Sequence, residues 1–306
     1  MTISAKIIAH SNGMQDQTII TFELEYPRFI HAELMTHRAF SRNAASSRAI
    51  PVKRAIALIR ENTAMPIHWG KNQPGMSAKE ECNELVGSSA HAFGASREGA
   101  WNHARDKAII MAEAFDEAGY HKQIVNRILE PYSHIKVVVT STEWNNWFGL
   151  RKHPDAMPEI CELARKMDLC RKSSTAVQLQ PGEWHVPYYK DGYWKPFMYN
   201  ADTDDPNAGI GCTLHQALCI SSSCCAQVSY RRLDDSVEKA TEMYERLVTM
   251  KPVHASPFEH QATPVGEFEN WSDGITHVDR SGNWWSGNFK NWIQHRQLIL
   301  DNVIPG

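Results

Sequence analysis

Thr36-His37-Arg38-Ala39-Phe40-Ser41-Arg42-Asn43-Ala44-Ala45-Ser46-Ser47-Arg48 holds three arginines, a histidine, an asparagine and three serines, with no carboxylate among them. Guanidinium groups form charge-assisted, often two-pronged hydrogen bonds to phosphate, and serine hydroxyls complete such a cradle. The preceding Phe29-Ile30-His31-Ala32-Glu33-Leu34-Met35 reads as a short helix, so the polar residues fall where helix gives way to loop. Loops on a rigid scaffold are a usual home for binding residues. Content alone equally describes a solvated basic turn. The order of the residues separates the two readings.

Working outward, Gln17 to Tyr26 is β-branched and aromatic with partial alternation and stops at Pro27, which predicts a strand. After Pro51, Val52 to Arg60 has apolar residues at helical spacing. Asn62 to Ser77, rich in Pro, Gly and Trp, suggests an ordered loop over a pocket. Helix formers dominate from Ala78 to Gly119, a plausible C-cap. After His121–Pro131 a strand is expected over Ile135–Thr140, and after Asn145–Arg151 a helix that ends near Met167. Residues 180–211 are aromatic and punctuated by Gly and Pro, as in an inserted hairpin, a lid or a structural loop. A further helix is expected from Asp235 to Met250.

Composition sets the limits. The chain has 306 residues, 42% of them hydrophobic, with a formal net charge of −3. That charge gives no generalised nucleic-acid footprint, so anion affinity has to come from local clusters. No apolar run is long enough to span a membrane and no signal-peptide core follows Met1, so a cytoplasmic location is the default expectation. The seven cysteines include no Cys-x-x-Cys pair, and the fifteen histidines show no His-Glu-x-x-His spacing. Neither a disulfide framework nor a metal site is expected. The absence of Gly-x-Gly-x-x-Gly argues against a Rossmann flavoprotein.

The ordered cradle resembles the signature of the flavin-dependent thymidylate synthases. His37, Arg38, Ser41, Asn43, Ser46 and Arg48 match in register, whereas Thr36 stands where the family has its first arginine and Ala49 where it usually has tyrosine. Downstream, Arg127 before Pro131 and the Asn146…Arg151 helix match two further family elements. Thr140-Ser141-Thr142 replaces the family's Asn-Ala-Arg.

The resemblance implies an α+β fold, with helices packed on a mostly antiparallel sheet, in a homotetramer with sites at subunit interfaces. It implies methylation of dUMP to dTMP, with methylenetetrahydrofolate as one-carbon donor, reduced FAD as hydride source and NADPH as reductant of the flavin. In those roles Arg151 acts on the pyrimidine ring, and Ser46, Ser47, Arg48 and Arg127 join it in holding the nucleotide. His37, Arg38, Asn146, His254 and Ser256 hold the flavin. Two alternatives stay open: a related pyrimidine-nucleotide enzyme that hydroxymethylates or takes dCMP, motivated by the departures at Glu33, Thr36, Ala44 and Ala49, and a non-enzymatic nucleotide-binding relative.

One element is out of order. His254-Ala255-Ser256-Pro257-Phe258-Glu259-His260 resembles a family segment that normally precedes the signature, yet here it lies near the other end of the chain. Circular permutation of a single catalytic domain accounts for this, since domain termini often lie close together. The expected division is 17–167 for the signature and nucleotide part, 168–223 for an inserted loop region, 224–268 for the flavin element and 269–306 for a tail helix. In that tail Arg296 follows Phe289 by seven residues, the spacing that ends on the family's first signature arginine. Arg296 is therefore a candidate for the guanidinium that Thr36 lacks, with a solvated arginine on an amphipathic helix as the other reading.

Overall fold

The computed structural model describes residues 3–75, 78–87, 94–196, 212–228, 234–266 and 273–303. Its centre is a five-stranded sheet of β1 (Ser4–Asn12), β2 (Thr18–Pro27), β3 (Ser41–Ala44), β4 (His134–Ser141) and β5 (Val177–Gln178). The strand order is β3-β4-β2-β1-β5, antiparallel except for the parallel β1–β5 contact.

One face of this sheet is apolar. Ile20, Phe22, Leu24 and Tyr26 of β2 alternate with residues pointing the other way, and Ile135, Val137 and Val139 of β4 stand opposite them. Alternation puts every second side chain on the same face. Two helices close over that face, α5 (Asn145–Arg151) and α6 (Pro158–Ser173), through Trp147, Ile160, Leu163 and Met167. A second apolar cluster joins α2 (Val52–Glu61), α3 (Arg97–Glu117) and α4 (Lys122–Leu129) through Ile56, Ile109 and Val125. The short α1 (His31–Met35) continues a 3-10 turn from Arg28 and delivers the chain to β3.

The opposite face is covered by C-terminal elements. A four-stranded sheet in the order β12-β8-β6-β7 contains β6 (Trp184–His185), β7 (Tyr193–Trp194), β8 (Ala262–Pro264) and β12 (Trp292–Gln294). It brings Trp292, Phe289, Leu179 and Ala262 against Ile19 of β2. In the loop between β6 and β7, Gly192 has φ +89° and lies so close to β1 that a Cβ would stand 2.7 Å from Ala9 Cα, so glycine is required there. A three-stranded sheet, β9 (His277–Val278), β10 (Trp284–Ser286) and β11 (Phe289–Lys290), continues the tail. Helices α7 (Leu214–Ala226) and α8 (Val237–Thr249) pack on each other; Thr213 and Gln216 form a reciprocal capping box at the start of α7.

This is the α+β class expected, with three local corrections. The cradle is not loop throughout, because Ser41–Ala44 pairs with β4. The helix expected from Ala78 begins only at Arg97, where the Ser96 hydroxyl accepts from Gly99 N; before it the described chain makes isolated bridges, Gly70 with Glu81 and Val86 with Ala95. Helix-forming composition there lacks an apolar stripe to bury. The tail is not a helix either. Ser286-Gly287-Asn288-Phe289 turns β10 into β11, Gly287 at φ +60°, and the buried Trp292 and Gln294 alternate with the half-buried Ile293 as strand residues do. Arg296 sits in a 3-10 turn, His295–Leu298. Finally, residues 184–194 form the expected hairpin, while 197–211 of that insertion lie outside the described residues.

Candidate functional site

Four of the predicted site residues, His37, Arg151, Ser47 and Arg127, fall in two clusters at the ends of β3, and a third cluster joins later elements to that strand. At its N-terminal end, the last turn of α5 presents Arg151 to the segment after α1. Arg151 Nε donates to His37 Nε2 at 2.9 Å, Nη2 donates to Thr36 Oγ1 at 3.1 Å and Nη1 pairs with Glu33 Oε2 at 3.2 Å. The His37 ring is held edge-on to Trp147 at 4.8 Å and stacked with Phe40 at 5.6 Å. Burial, then the cations of Arg151 and Arg42, pushes its pKa down to about 4, so the ring is neutral at pH 7 and its Nε2 is free to accept. Arg42 Nη1 donates to the carbonyls of Met35 and His37 and braces the turn.

At the other end of β3, a carboxylate gathers the phosphate-type residues. Ser47 Oγ donates to Glu130 Oε1 at 2.8 Å, Arg127 Nη1 reaches the same carboxylate at 3.3 Å, and Arg28 lies 3.8 Å from it. Asn126 Nδ2 fixes the loop by donating to the carbonyls of Ser47 and Ile50 at 2.7 and 2.9 Å. Arg28, Ser47, Ile50, Arg54, Asn126 and Glu130 line a cavity of about 440 Å³. Of the described residues of the 62–77 loop expected over a pocket, Asn62 alone lines it; 76 and 77 lie outside the described residues. Glu130 escaped sequence reasoning, although its place three residues after Arg127 on the same helical turn is a signal for an ion pair.

The third cluster joins the C-terminal segment to β3. His260 Nε2 lies 3.3 Å from Asn43 Oδ1, and Gln294 Nε2 donates to Ser41 Oγ at 3.1 Å. Asn288 Nδ2 donates to the Ala39 carbonyl at 3.2 Å. The segment around Ser256–His260 thus meets the signature strand, 217 residues away in sequence. Among the described residues, no hydrogen bond links His254 or Ser256 to His37, Arg38 or Asn146. His254 is exposed and Ser256 opens a 3-10 turn. Arg38, Arg48 and Asn146 are exposed, and neither arginine makes an ion pair among the described residues.

Two placements differ from what sequence order suggests. Arg151 stands with His37 and Thr36 rather than with Ser47, Arg48 and Arg127. The guanidinium at Thr36 is therefore that of Arg151, while Arg296 is paired with Glu259 and donates to the Asn302 carbonyl at 3.0 Å. Among the described residues, no group of three or more His, Cys, Asp or Glu is arranged to hold a metal ion, and no helix is long and apolar enough to cross a membrane.

A family profile described as thymidylate synthase complementing protein matches residues 6–173. Solved structures similar to the chain include a UMP/dUMP methylase, PolB, from Streptomyces cacaoi bound with 5-Br UMP, at 17% identity over 56% of this chain and 88% of that one, TM-score 0.40. Another is Thymidylate Synthase X (ThyX) from Helicobacter pylori with FAD and dUMP, at 16% identity over 50% of this chain and 67% of that one, TM-score 0.33. No curated protein sequence matches the chain.

Proposed function

The chain belongs to the thymidylate synthase complementing protein family, and from that premise we propose that it is a flavin-dependent enzyme that methylates dUMP to dTMP. Methylenetetrahydrofolate is the one-carbon donor, FAD the flavin, NADPH its reductant, and a homotetramer the working assembly. Its segment Ser256–His260, meeting β3 from the far end of the chain, supports a permuted order of family elements. The observation that carries the reading is the immobilised guanidinium of Arg151, bonded on three sides to His37, Thr36 and Glu33 at the edge of the signature.

The donors present fit an anionic dinucleotide. Arg38 is an exposed cation with no ion pair among the described residues, and the exposed Asn146 adds an amide. His37, Arg38, Asn146, His254 and Ser256 would hold FAD, which once reduced by NADPH would supply the hydride. The nucleotide falls to Ser46, Ser47, Arg48 and Arg127. Glu130 preorients Ser47 and Arg127 and offsets part of their charge. Arg151 supplies a fixed cation beside the pyrimidine, which favours the N3-deprotonated, electron-rich ring from which C5 attacks; preset charge is worth most when it need not reorganise during reaction. Neutral His37 pins that guanidinium without adding a competing charge.

Glu33 supports a second reading. A carboxylate beside Arg151 can accept from the exocyclic amine of cytosine, which dUMP lacks, so dCMP is the alternative substrate and hydroxymethylation the alternative outcome. Product analysis with dUMP and dCMP, each with methylenetetrahydrofolate, FAD and NADPH, tests both readings. dTMP from dUMP alone is expected, a 5-substituted dCMP would replace the first reading by the second, and no product from either would reject the enzyme. Arg151→Ala is expected to abolish turnover with nucleotide affinity largely kept, whereas Arg48→Ala should cost about 1.5–3 kcal/mol of affinity. Equal modest rises in KM with unchanged kcat would contradict these roles.

A further inference from the structure

Behind the signature strand runs an unbroken line of hydrogen bonds through six side chains. Ser11 Oγ lies 2.9 Å from His185 Nδ1, and His185 Nε2 lies 2.8 Å from Thr21 Oγ1. Thr21 Oγ1 is 2.7 Å from Thr140 Oγ1, which is 2.8 Å from His260 Nδ1. His260 Nε2 ends the line on Asn43 Oδ1 at 3.3 Å. The five members before Asn43 are at most 1% exposed. They come from β1, β6, β2, β4 and the turn before β8, so no local rule of sequence brings them together.

The proton inventory gives this line a direction. A carboxamide oxygen only accepts, so His260 donates from Nε2. Burial pushes the pKa values of both rings down to about 3, so each carries one proton at pH 7. With its proton on Nε2, His260 accepts at Nδ1 from the Thr140 hydroxyl. Thr140, having spent its only proton, accepts from Thr21. Thr21 in turn accepts from His185 Nε2, and His185 Nδ1 accepts from Ser11. The reverse direction would leave the Ser11 hydroxyl proton with nowhere to go, since among the described residues Ser11 Oγ has no hydrogen-bond partner but His185. An unmade hydrogen bond on a buried donor is costly.

We propose that this line of hydrogen bonds is a positioning device that locks the carboxamide of Asn43 with Oδ1 inward, so that Nδ2 serves as a preset donor to an oxygen acceptor of the bound ligand. The idea rests on the functional reading above, in which β3 lines the site. That acceptor belongs to the nucleotide or to the flavin, both rich in carbonyl and phosphate oxygen. His185 and His260 act through Asn43 and touch no ligand themselves. Two of the six residues, His185 and His260, lie outside the segment matched by the family.

Orientation is tested first and without any ligand. In the full chain labelled with 15N-histidine, long-range proton–nitrogen correlations at pH 7, assigned with His185→Gln and His260→Gln, should report both rings as neutral Nε2–H tautomers. A proton on Nδ1 of either ring overturns the proposal, whatever the protein binds. The ligand half is tested by titrating dUMP and FAD separately. Asn43→Asp keeps an oxygen for His260 but loses the outward donor, and should weaken one of the two ligands at least tenfold; the weakened ligand identifies the acceptor. His260→Gln, which keeps a donor toward Asn43, should retain more of that affinity than His260→Leu. Wild-type affinity for both ligands in Asn43→Asp overturns the proposal. A wild-type chain that binds neither ligand instead rejects the functional reading, and with it the ligand half, while the tautomers still decide the orientation.

Discussion

The two faces of the five-stranded sheet are built from opposite materials. One carries Phe22, Leu24, Val137 and Val139 against the apolar side of α6, all of them buried hydrocarbon. The other carries Ser41, Thr140 and Thr21 in one row across three strands, covered by His185, His260, Gln294 and Trp292 from later in the chain. Apolar burial is roughly proportional to area and tolerates exchange of one hydrocarbon for another. A buried hydroxyl row is different, because each member needs a partner at one distance and in one proton state. The first face therefore supplies most of the stability and the second supplies definition to the signature strand beside it.

At neutral pH the largest effect is expected on the apolar face. Phe22, fully buried and edge-on to Trp144 at 5.0 Å, should cost about 3–5 kcal/mol when changed to alanine, read from urea unfolding. A loss below about 1 kcal/mol would mean that this face is not the main core. Next comes an acid effect in which the polar face has a large share. His185 and His260 take up protons near 6.5 when unfolded but only near 3 when folded, so the unfolded chain binds more protons between those values. Stability should be complete above pH 6.5 and fall as pH drops toward 3, by about 1.4 kcal/mol per pH unit for each ring. Removing both rings, as in the double change of His185 and His260 to Gln, should make that slope shallower by their share; an unchanged slope would place the acid sensitivity elsewhere.

Thr140→Val, which keeps the shape but strands His260 Nδ1 and Thr21, should cost about 1–3 kcal/mol in the same unfolding assay. Cost-free replacement would mean that water or rearrangement satisfies the row. Smallest of all, Arg127→Ala removes a mostly exposed cation, and unfolding should register under about 1 kcal/mol while dUMP affinity falls. A large loss of stability with intact dUMP binding would reverse the role given to Arg127.

The same contrast explains what could be read from sequence. Composition and periodicity exposed β2, β4, α2 and α8 because an apolar face repeats at a fixed step, and the spacing of His37, Arg38, Asn43 and Arg48 pointed to the family. The polar face showed only its signature residues Ser41 and Asn43 and the family segment that ends on His260, not the line that joins them. Thr21 and Thr140 look like ordinary strand residues until paired, and the place of His185 and His260 in the line depends on partners more than a hundred residues away. The tail misled for a related reason: Phe289 and Arg296 have a helical-looking interval, but the Ser-Gly-Asn turn ahead of Phe289 sets strand geometry instead. Arg151 was recognised, but its bonds to Glu33 and Thr36 depend on how α5 meets α1.

The central claim is that this chain is a flavin enzyme acting on a pyrimidine nucleotide, and the visible spectrum tests it most directly. Purified protein incubated with FAD and then desalted should retain the flavin absorption, and addition of dUMP should perturb that absorption saturably. Protein that emerges colourless after FAD treatment, or a retained flavin spectrum indifferent to both dUMP and dCMP, would contradict the account.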